Sequence, residues 1–295
     1  MRLKTKSKKH NAVFIVTVVI LSLYAISMIV PVLWTLMTTI KLPEDYGANR
    51  NVLWLPSLGV TLNNFKTAYE YLKITPQGSD YEFYILDQFA NSLLYSLGSA
   101  CTITLSSLVM GYATARFRYR FSKVIYAFVL IALALPIVGS MPSEIAVAKK
   151  LKIFDTFPGM WIMRGNFLNT YFLIFFAQFS MIPYDYTEAA KIDGANPATV
   201  MFKIIVPLAW STIVTVFVLN FIGYWNDFQI PMVYLPTHPV AAYGMFRFQN
   251  ENITQINNVP TKLSAICLLA LPIVIFYAIF NKKINVNMSV GGIKG

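Results

Sequence analysis

A stretch of acidic and small residues between two apolar runs has the residue types of a protein-docking segment. Glu188 and Asp193 offer carboxylates to basic or backbone donors on a partner. Ala189, Ala190 and Gly194 have so little side-chain bulk that a partner's surface can approach the backbone closely. The stretch reads Tyr186-Thr187-Glu188-Ala189-Ala190-Lys191-Ile192-Asp193-Gly194 and continues to Ile204-Ile205-Val206-Pro207.

Local chemistry predicts two short helices in this stretch, with a break between them. Asp185 is suited to cap the first helix, and Glu188 three residues later completes a capping box. Gly194 stands where a helix end requires a residue that tolerates positive φ. Asn196 and Pro197 then restart the helix as its N-cap and first residue. These features alone are equally compatible with an ordinary loop that joins two membrane helices.

The composition indicates that a membrane surrounds most of the chain. Of its 295 residues, 56% are hydrophobic and only 13% are charged, which is too apolar for an ordinary soluble domain. Six runs lack Asp, Glu, Lys and Arg over roughly the 20 residues that a bilayer-spanning helix needs. The runs are 11–40, 88–115, 124–143, 165–184, 204–226 and 263–281. The further uncharged run 228–246 contains three prolines and is expected to form an external or re-entrant loop. We therefore expect an all-α polytopic membrane protein with six transmembrane helices.

The distribution of charge predicts that both termini lie in the cytoplasm (N-in/C-in). In this orientation the inner segments carry 14 of the 24 Lys and Arg residues but only 3 of the 13 Asp and Glu residues. The short loop 116–123 holds four basic residues and no acidic one, as cytoplasmic loops do. An exception to this excess of basic residues on the inner side is the outer segment that holds Lys149, Lys150 and Lys152. The positive excess is explained by anionic membrane lipid, and no nucleic-acid partner is expected.

These assignments divide the chain into a membrane core and polar flanks. The predicted segments are a basic cytoplasmic tail at 1–10, a first transmembrane helix at 11–40, an external segment at 41–87, a core transmembrane domain at 88–281 and a cytoplasmic C-terminal tail at 282–295. Within the core, 185–207 is a cytoplasmic loop between the fourth and fifth spans, and 227–262 is an external loop.

The sequence lacks the motifs of several enzyme classes. It has no G-x-x-x-x-G-K-[ST] phosphate loop, no H-E-x-x-H and no G-x-S-x-G, so no catalytic residue, cofactor or metal site is expected in this chain. None of the six predicted spans contains the acidic, basic or histidine side chains that relay protons in proton-coupled carriers. Hydroxyl and carbonyl oxygens suffice for sodium, so an ion-gradient-driven secondary carrier remains an alternative. The work of uphill transport is expected to enter from a partner through Glu188 and its neighbours.

Neutral polar and aromatic residues in the fourth and fifth spans suit a carbohydrate pathway. Sugars offer hydroxyl groups to amides and stackable faces to aromatic rings. The candidate residues are Gln178 in the fourth span and Asn220, Tyr224, Trp225 and Asn226 at the end of the fifth. The alternative for each is an interfacial aromatic belt or a hydrogen bond between helices.

The spacing of the docking stretch resembles a known signature. Glu188-Ala189-Ala190, Gly194 and the Ile204-x-x-Pro207 pair match the EAA motif of permease subunits of binding-protein-dependent ABC importers, except that Val206 stands where the family usually has Leu. Further stretches resemble the carbohydrate-transporting, maltose-type branch of that family. They are Asn91-Ser92-Leu93, Tyr112-Ala113-Thr114-Ala115-Arg116-Phe117, Trp225-Asn226-Asp227-Phe228 and Gly292-Ile293-Lys294-Gly295.

The resemblance implies a type I ABC importer permease fold in a bacterial cytoplasmic (inner) membrane. It implies that the EAA loop, with Glu188, Ala189, Ala190, Asp193, Gly194 and Pro207, couples to an ATPase. The implied partners are a second homologous permease, two cytoplasmic ATPase subunits that bind ATP and Mg, and an extracytoplasmic sugar-binding protein. The implied function is import of a sugar or oligosaccharide by alternating access. The remaining alternatives are the secondary carrier, a membrane-bound enzyme and a structural scaffold.

Overall fold

The structure is a computed structural model that describes residues 3–47, 52–76, 80–117, 119–135, 139–251 and 253–288. The terminal Gly292–Gly295 stretch lies outside these ranges. Within them the regular structure is helical, apart from the isolated β-bridges Lys41–Val60 and Ile74–Phe83. The chain divides into two compact units, Met1–Leu72 with Phe248–Leu268, and Lys73–Arg247 with Leu269–Gly295.

The first unit contains one long apolar helix, and a buried side-chain amide donates hydrogen bonds to the backbone at the C-terminal end of this helix. Its helices are α1 (Leu3–Thr39), α2 (Pro43–Gly47) and α3 (Asn63–Tyr71). The side-chain amide of Asn64 donates to the carbonyls of Thr39, at 2.8 Å, and Lys41, at 2.6 Å. These carbonyls lie at the end of α1, where intrahelical donors run out. The apolar side chains of α1 are exposed from Val13 onward, so lipid or another chain must cover them.

The second unit is built around one helix. The helices that begin in it are α4 (Ile85–Arg116), α5 (Arg120–Ala134), α6 (Met141–Lys150), α7 (Phe157–Arg164), α8 (Thr170–Met181), α9 (Asp185–Ile192), α10 (Pro197–Thr199), the π-helix Val200–Ile205, α11 (Val206–Leu208), α12 (Trp210–Trp225), α13 (Gln229–Tyr234) and α14 (Ala241–Asn250). The last helix, α15 (Val259–Met288), begins in the first unit and ends in the second.

Small side chains let α7, α8 and α12 pack closely against α4. A side chain at Gly98 would overlap the ring of Trp161, whose indole N–H donates to the Leu94 carbonyl at 3.0 Å. A Cβ at Gly111 would lie 2.8 Å from the Cβ of Phe175. Ser92, Ser96 and Ser99 are buried on the same helix. Such small residues at helix contacts are the usual means of close packing within membranes.

Three helices in the described ranges are long and apolar enough to cross a membrane, namely Val13–Thr39, Ile85–Arg116 and Val259–Ile279. Pro197–Leu208 and Trp210–Trp225 form a fourth candidate if they are counted as one bent span. The all-α membrane architecture agrees with the sequence analysis, whereas the number of six spans stays a prediction.

Two predicted spans are helical over less of their length than the hydropathy pattern indicates. In 124–143, α5 ends at Ala134 after 15 residues and a separate helix starts at Met141. In 165–184, α8 has 12 residues because Asn169 caps it, accepting the Phe172 N–H at 3.1 Å. Hydropathy does not register such caps. The run 228–246 holds α13 and the start of α14 instead of one continuous helix.

Candidate functional site

The loop 185–207 contains the two predicted helices and the predicted break. α9 is followed by Gly194, whose φ of +81° confirms the predicted need for a residue that tolerates positive φ. Asn196 then caps α10 by accepting the Thr199 N–H at 2.7 Å, with Pro197 at the start of the helix, as predicted. The break between the helices is therefore fixed by local sequence.

The predicted capping box at the start of this loop is wrong. α9 begins at Asp185 itself, and the residue before it, Tyr184, makes no side-chain cap. The Tyr184 carbonyl accepts instead from the backbone N–H groups of Thr187, at 2.8 Å, and Glu188, at 3.1 Å. Because the chain already has helical dihedrals at Tyr184, the Asp185 side chain is one position too late to cap the helix.

The two alanines of the motif have different surroundings. Ala189 is exposed, whereas Ala190 is only 6% exposed and belongs to a core cluster with Tyr112, Phe179 and Ile205. The expectation that both alanines face a partner is therefore corrected for Ala190, which packs inside its own chain. Its small size lets α9 pack closely against this cluster.

The exposed part of the loop, which we call the loop surface, combines carboxylates with apolar side chains. Of the predicted coupling residues, Glu188, Ala189, Asp193, Gly194 and Pro207 are all exposed. Sequence reasoning missed Ile192, at 86% exposed, and Phe202, at 61% exposed. The sequence pattern that could have identified Ile192 as an exposed contact residue is an apolar side chain between two charged neighbours, Lys191 and Asp193. Exposed apolar side chains among polar ones are typical of protein interfaces.

Pro207 follows an irregular turn and precedes a sharp bend. Proline has no N–H, so it leaves the Lys203 carbonyl without its normal helical donor. The π-helix Val200–Ile205 lies immediately before it, as expected where the hydrogen-bond ladder is interrupted. Next, Pro197–Leu208 and Trp210–Trp225 meet at 76°. The loop therefore leads into α12 through this bend at Ala209.

A buried arginine connects α4 with the start of the loop. Arg116, the last residue of α4, is 6% exposed, and its guanidinium carbon lies 5.9 Å from the ring centroid of Tyr184. Its Nε and Nη2 atoms have no hydrogen-bond partner. Lys191 of α9 lies over the same ring, with Nζ also 5.9 Å from the centroid. Both distances fall within cation–π range.

A second polar cluster lies at the other end of α12. The hydroxyl of Tyr95 donates to Asp227 at 2.7 Å, and its ring contacts that of Tyr224 edge-on, with centroids 5.7 Å apart. Asn91 donates to the Pro239 carbonyl at 3.0 Å, and Ser92 accepts the Ala241 N–H at 2.8 Å. The structure thus brings together Asn91-Ser92 and Asp227, from two stretches that the sequence analysis had noted separately.

Carboxylates of α6 and of the turn between α6 and α7 accept hydrogen bonds from the same region. Asp155 accepts from the Thr237 hydroxyl at 2.7 Å and from the Thr237 N–H at 3.2 Å. Glu144 accepts from the Tyr234 hydroxyl at 3.0 Å. Burial, followed by this hydrogen bond, raises the pKa of Tyr234 to about 12, so the phenol stays protonated as a donor. The segment after α12 is therefore held in a defined position.

The predicted pathway residues do not form one cluster. Gln178 accepts from the Thr212 hydroxyl at 3.2 Å, near the start of α12. Thr212 and Tyr224 are separated by about 18 Å along α12, at roughly 1.5 Å per residue. Gln178 is therefore remote from the residues at the end of that helix.

The remaining four candidates differ in exposure. Asn220 is buried and donates to the Val216 carbonyl of its own helix at 2.9 Å, and Trp225 is buried between Phe221 and Phe89. Tyr224 is partly buried beside Tyr95, and Asn226 is exposed. Asn226 is accordingly the amide most available to a solute.

Comparison with known proteins places these features in a family. A family model described as "Binding-protein-dependent transport system inner membrane component" matches residues 107–289, which include the whole loop 185–207.

Curated relatives match over most of the chain. A trehalose transport system permease protein of Mycobacterium tuberculosis is 27% identical, over 83% of this chain and 92% of the relative. An inner membrane ABC transporter permease protein of Escherichia coli is 29% identical, over 93% and 94%. A melibiose/raffinose/stachyose import permease protein of Bacillus subtilis is 23% identical, also over 93% and 94%.

A solved structure shares the fold. The match is to a crystal structure of a bacterial ABC transporter involved in the import of the acidic polysaccharide alginate, with a TM-score of 0.73 and 21% sequence identity. It covers 93% of this chain and 97% of the matched chain. The chain therefore shares the arrangement of helices of that matched chain.

Proposed function

Since the chain belongs to the family of inner membrane components of binding-protein-dependent transport systems, we propose that it is the permease subunit of an ATP-driven sugar importer. The observation that carries the proposal is the family match across 107–289, because that range contains the loop with Glu188 and Gly194. Relatives named for trehalose and for melibiose, raffinose and stachyose support a sugar or oligosaccharide as the solute.

The proposed assembly contains a second, homologous permease, two cytoplasmic ATPase subunits and an extracytoplasmic sugar-binding protein. One chain presents one such loop and can engage one ATPase, so a pair of ATPases requires a pair of permeases. The chain is proposed to span a bacterial inner membrane six times, with both termini and the loop 185–207 in the cytoplasm. The exposed apolar length of α1 supports contact with lipid or with the second permease.

The proposed mechanism transmits the movement of the ATPase pair through the loop surface. Glu188 and Asp193 pair with basic or backbone donors in a cleft on the ATPase, while Ile192 and Phe202 are buried against it. Because Ala190 lies in the same core cluster as Tyr112 of α4, displacement of α9 is proposed to act on the end of α4 through this cluster. Rigid-body movement of this kind switches a transporter between inward-open and outward-open states.

We expect Arg116→Gln to uncouple ATP hydrolysis from transport. The substitution removes the cation from the Tyr184 ring, so displacement of α9 is passed less directly to α4. Cation–π contacts contribute about 0.5–2 kcal/mol, and the sugar imported per ATP hydrolysed should fall severalfold while the ATPase still co-purifies. Arg116→Lys keeps the cation and should restore much of the ratio. An unchanged ratio in Arg116→Gln would exclude this contact from transmission.

Asn226 and Asn220 are proposed to contribute to the sugar pathway. Loss of a hydrogen bond to a sugar hydroxyl costs about 0.5–1.5 kcal/mol, so Asn226→Ala should raise the sugar concentration for half-maximal uptake severalfold. Asn220→Ala should have a smaller effect on this value, because its side chain is buried whereas that of Asn226 is exposed. Asn63→Ala, which removes an exposed side-chain amide from α3, serves as the control. Equal values for all three variants and the unmodified protein would remove these amides from the pathway.

Purification of the intact complex from its host membrane tests the function. We expect an ATPase and a second permease to co-purify, and reconstituted vesicles to import sugar only with ATP and the binding protein. Uptake driven by an ion gradient without ATP would instead establish a secondary carrier. The importer is favoured because a carrier that works alone has no evident need for the loop surface.

A further inference from the structure

A groove whose lining includes two basic residues lies between the end of α4 and the start of α5. It has a volume of about 640 Å³ and is formed by the end of α4, the start of α5 and Phe176 of α8. Tyr126 and Phe176 are in ring contact within its lining, with centroids 4.7 Å apart. The residues that carry charge in the lining are Arg120 and Lys123. No acidic side chain contributes to the lining, so the groove is suited to an anion.

The start of α5 adds to this positive charge. α5 has no acidic residue in its first turn, and its N-cap Tyr119 makes no side-chain hydrogen bond. The first N–H groups of a helix carry partial positive charge and bind phosphate oxygens readily. Arg120 and Lys123 form no ion pair within the part of the chain that the structure describes. Charge at the groove is therefore not neutralised by the chain itself.

A shallow apolar depression on the surface of α5 adjoins the groove. Lys123 lines both cavities, and the second, of about 340 Å³, is otherwise lined by Val124, Ala127, Phe128 and Ile131. These residues lie along one helix at spacings of three and four, so they share a face. Together they form a combined groove, in which a basic cavity is adjoined by a shallow apolar track on the surface of α5.

We propose that this combined groove binds an anionic phospholipid, with the phosphodiester at the start of α5 beside Arg120 and Lys123 and an acyl chain along Val124–Ile131. A free phosphate would leave the apolar track empty, and a zwitterionic lipid would leave the cationic charge uncompensated. The proposal rests on the proposed function only in placing the chain in a membrane. Basic pockets between membrane helices commonly bind anionic headgroups.

Lipid binding to the purified full chain tests the proposal by native mass spectrometry. Dioleoylphosphatidylglycerol and dioleoylphosphatidylcholine, which differ only in the headgroup, are added in equal amounts. We expect the anionic lipid to bind at least about tenfold more tightly, since each Lys or Arg near such a headgroup adds about 1 kcal/mol. Equal binding of the two lipids would overturn the proposal.

Matched variants then locate the site. Arg120→Gln/Lys123→Gln should abolish the preference, whereas Lys150→Gln/Lys152→Gln, which removes the same charge from α6 and the residues after it, should keep it. Equal loss in both variants would indicate nonspecific attraction and contradict the site.

Displacement of the lipid by excess inorganic phosphate would show an anion site that does not need a lipid, and would also overturn the proposal. Because neither sugar nor ATPase is used, failure here leaves the transport function untouched.

Discussion

Glu188→Lys is expected to abolish sugar uptake while the protein still inserts into the membrane at its normal level. Glu188 is exposed in the first turn of α9, so reversing its charge disturbs no contact within the chain's own core. Breaking a charge pair buried at an interface costs about 2–5 kcal/mol. The amount of co-purified ATPase should therefore fall by more than about tenfold, and uptake with it.

Glu70→Lys is the matched control for this experiment. It makes the same substitution on the exposed face of another helix, α3, where Glu70 forms only a 3.9 Å surface pair with Lys66. Such exposed pairs contribute little to stability, so uptake should stay near normal. Normal uptake in Glu188→Lys, or an equal loss in both variants, would remove Glu188 from the coupling mechanism.

Gly194→Val is expected to give a comparably complete loss of uptake, for a different physical reason. The φ of +81° at Gly194 lies in the left-handed region, which costs an L-residue about 1–2 kcal/mol and a β-branched one more. A Cβ at this position would meet nothing within 4 Å, so the effect on the chain is one of backbone conformation and not of overlap. Relief of the strain must shift α9 relative to α10, and uptake assays with membrane-inserted protein measure the consequence.

Gly194→Asn separates backbone strain from side-chain bulk. Asparagine adopts positive φ far more readily than valine, and the surrounding space is open in this chain. We therefore expect Gly194→Asn to retain most of the uptake that Gly194→Val loses. If both variants lost uptake equally, close approach of the ATPase would account for the glycine. If both retained it, the turn would have no role in coupling.

Features that depend on a few consecutive residues could be predicted from the sequence. The positive φ at Gly194 and the cap at Asn196 follow from the steric and hydrogen-bonding properties of those residues. The apolar run at the N-terminus predicted a long membrane helix, and α1 contains it. The spacing of Glu188, Gly194 and Pro207 was sufficient to indicate the family, because these residues occur in one short segment.

The residues at which helices begin were predicted less well from the sequence. Asp185 failed as a cap because α9 already continues from a helical Tyr184, a difference of one residue that composition does not reveal. The fourth apolar run similarly gave no sign that Asn169 would start α8 within it. Residue types and hydropathy indicate which segments can form helices or lie in lipid. The backbone hydrogen bonds decide at which residue each helix begins.

The sequence by itself determined the membrane class, the family and the conformation of the break in the docking loop, since these depend on composition and on neighbouring residues. Only the tertiary structure decided that Ala190 faces inward, that Arg116 lies over Tyr184 and that Tyr95 bonds Asp227. The last pair is separated by 132 positions in the chain. Contacts at such separations arise from how α4 packs against α8 and α12, and no local pattern of residue types specifies that packing.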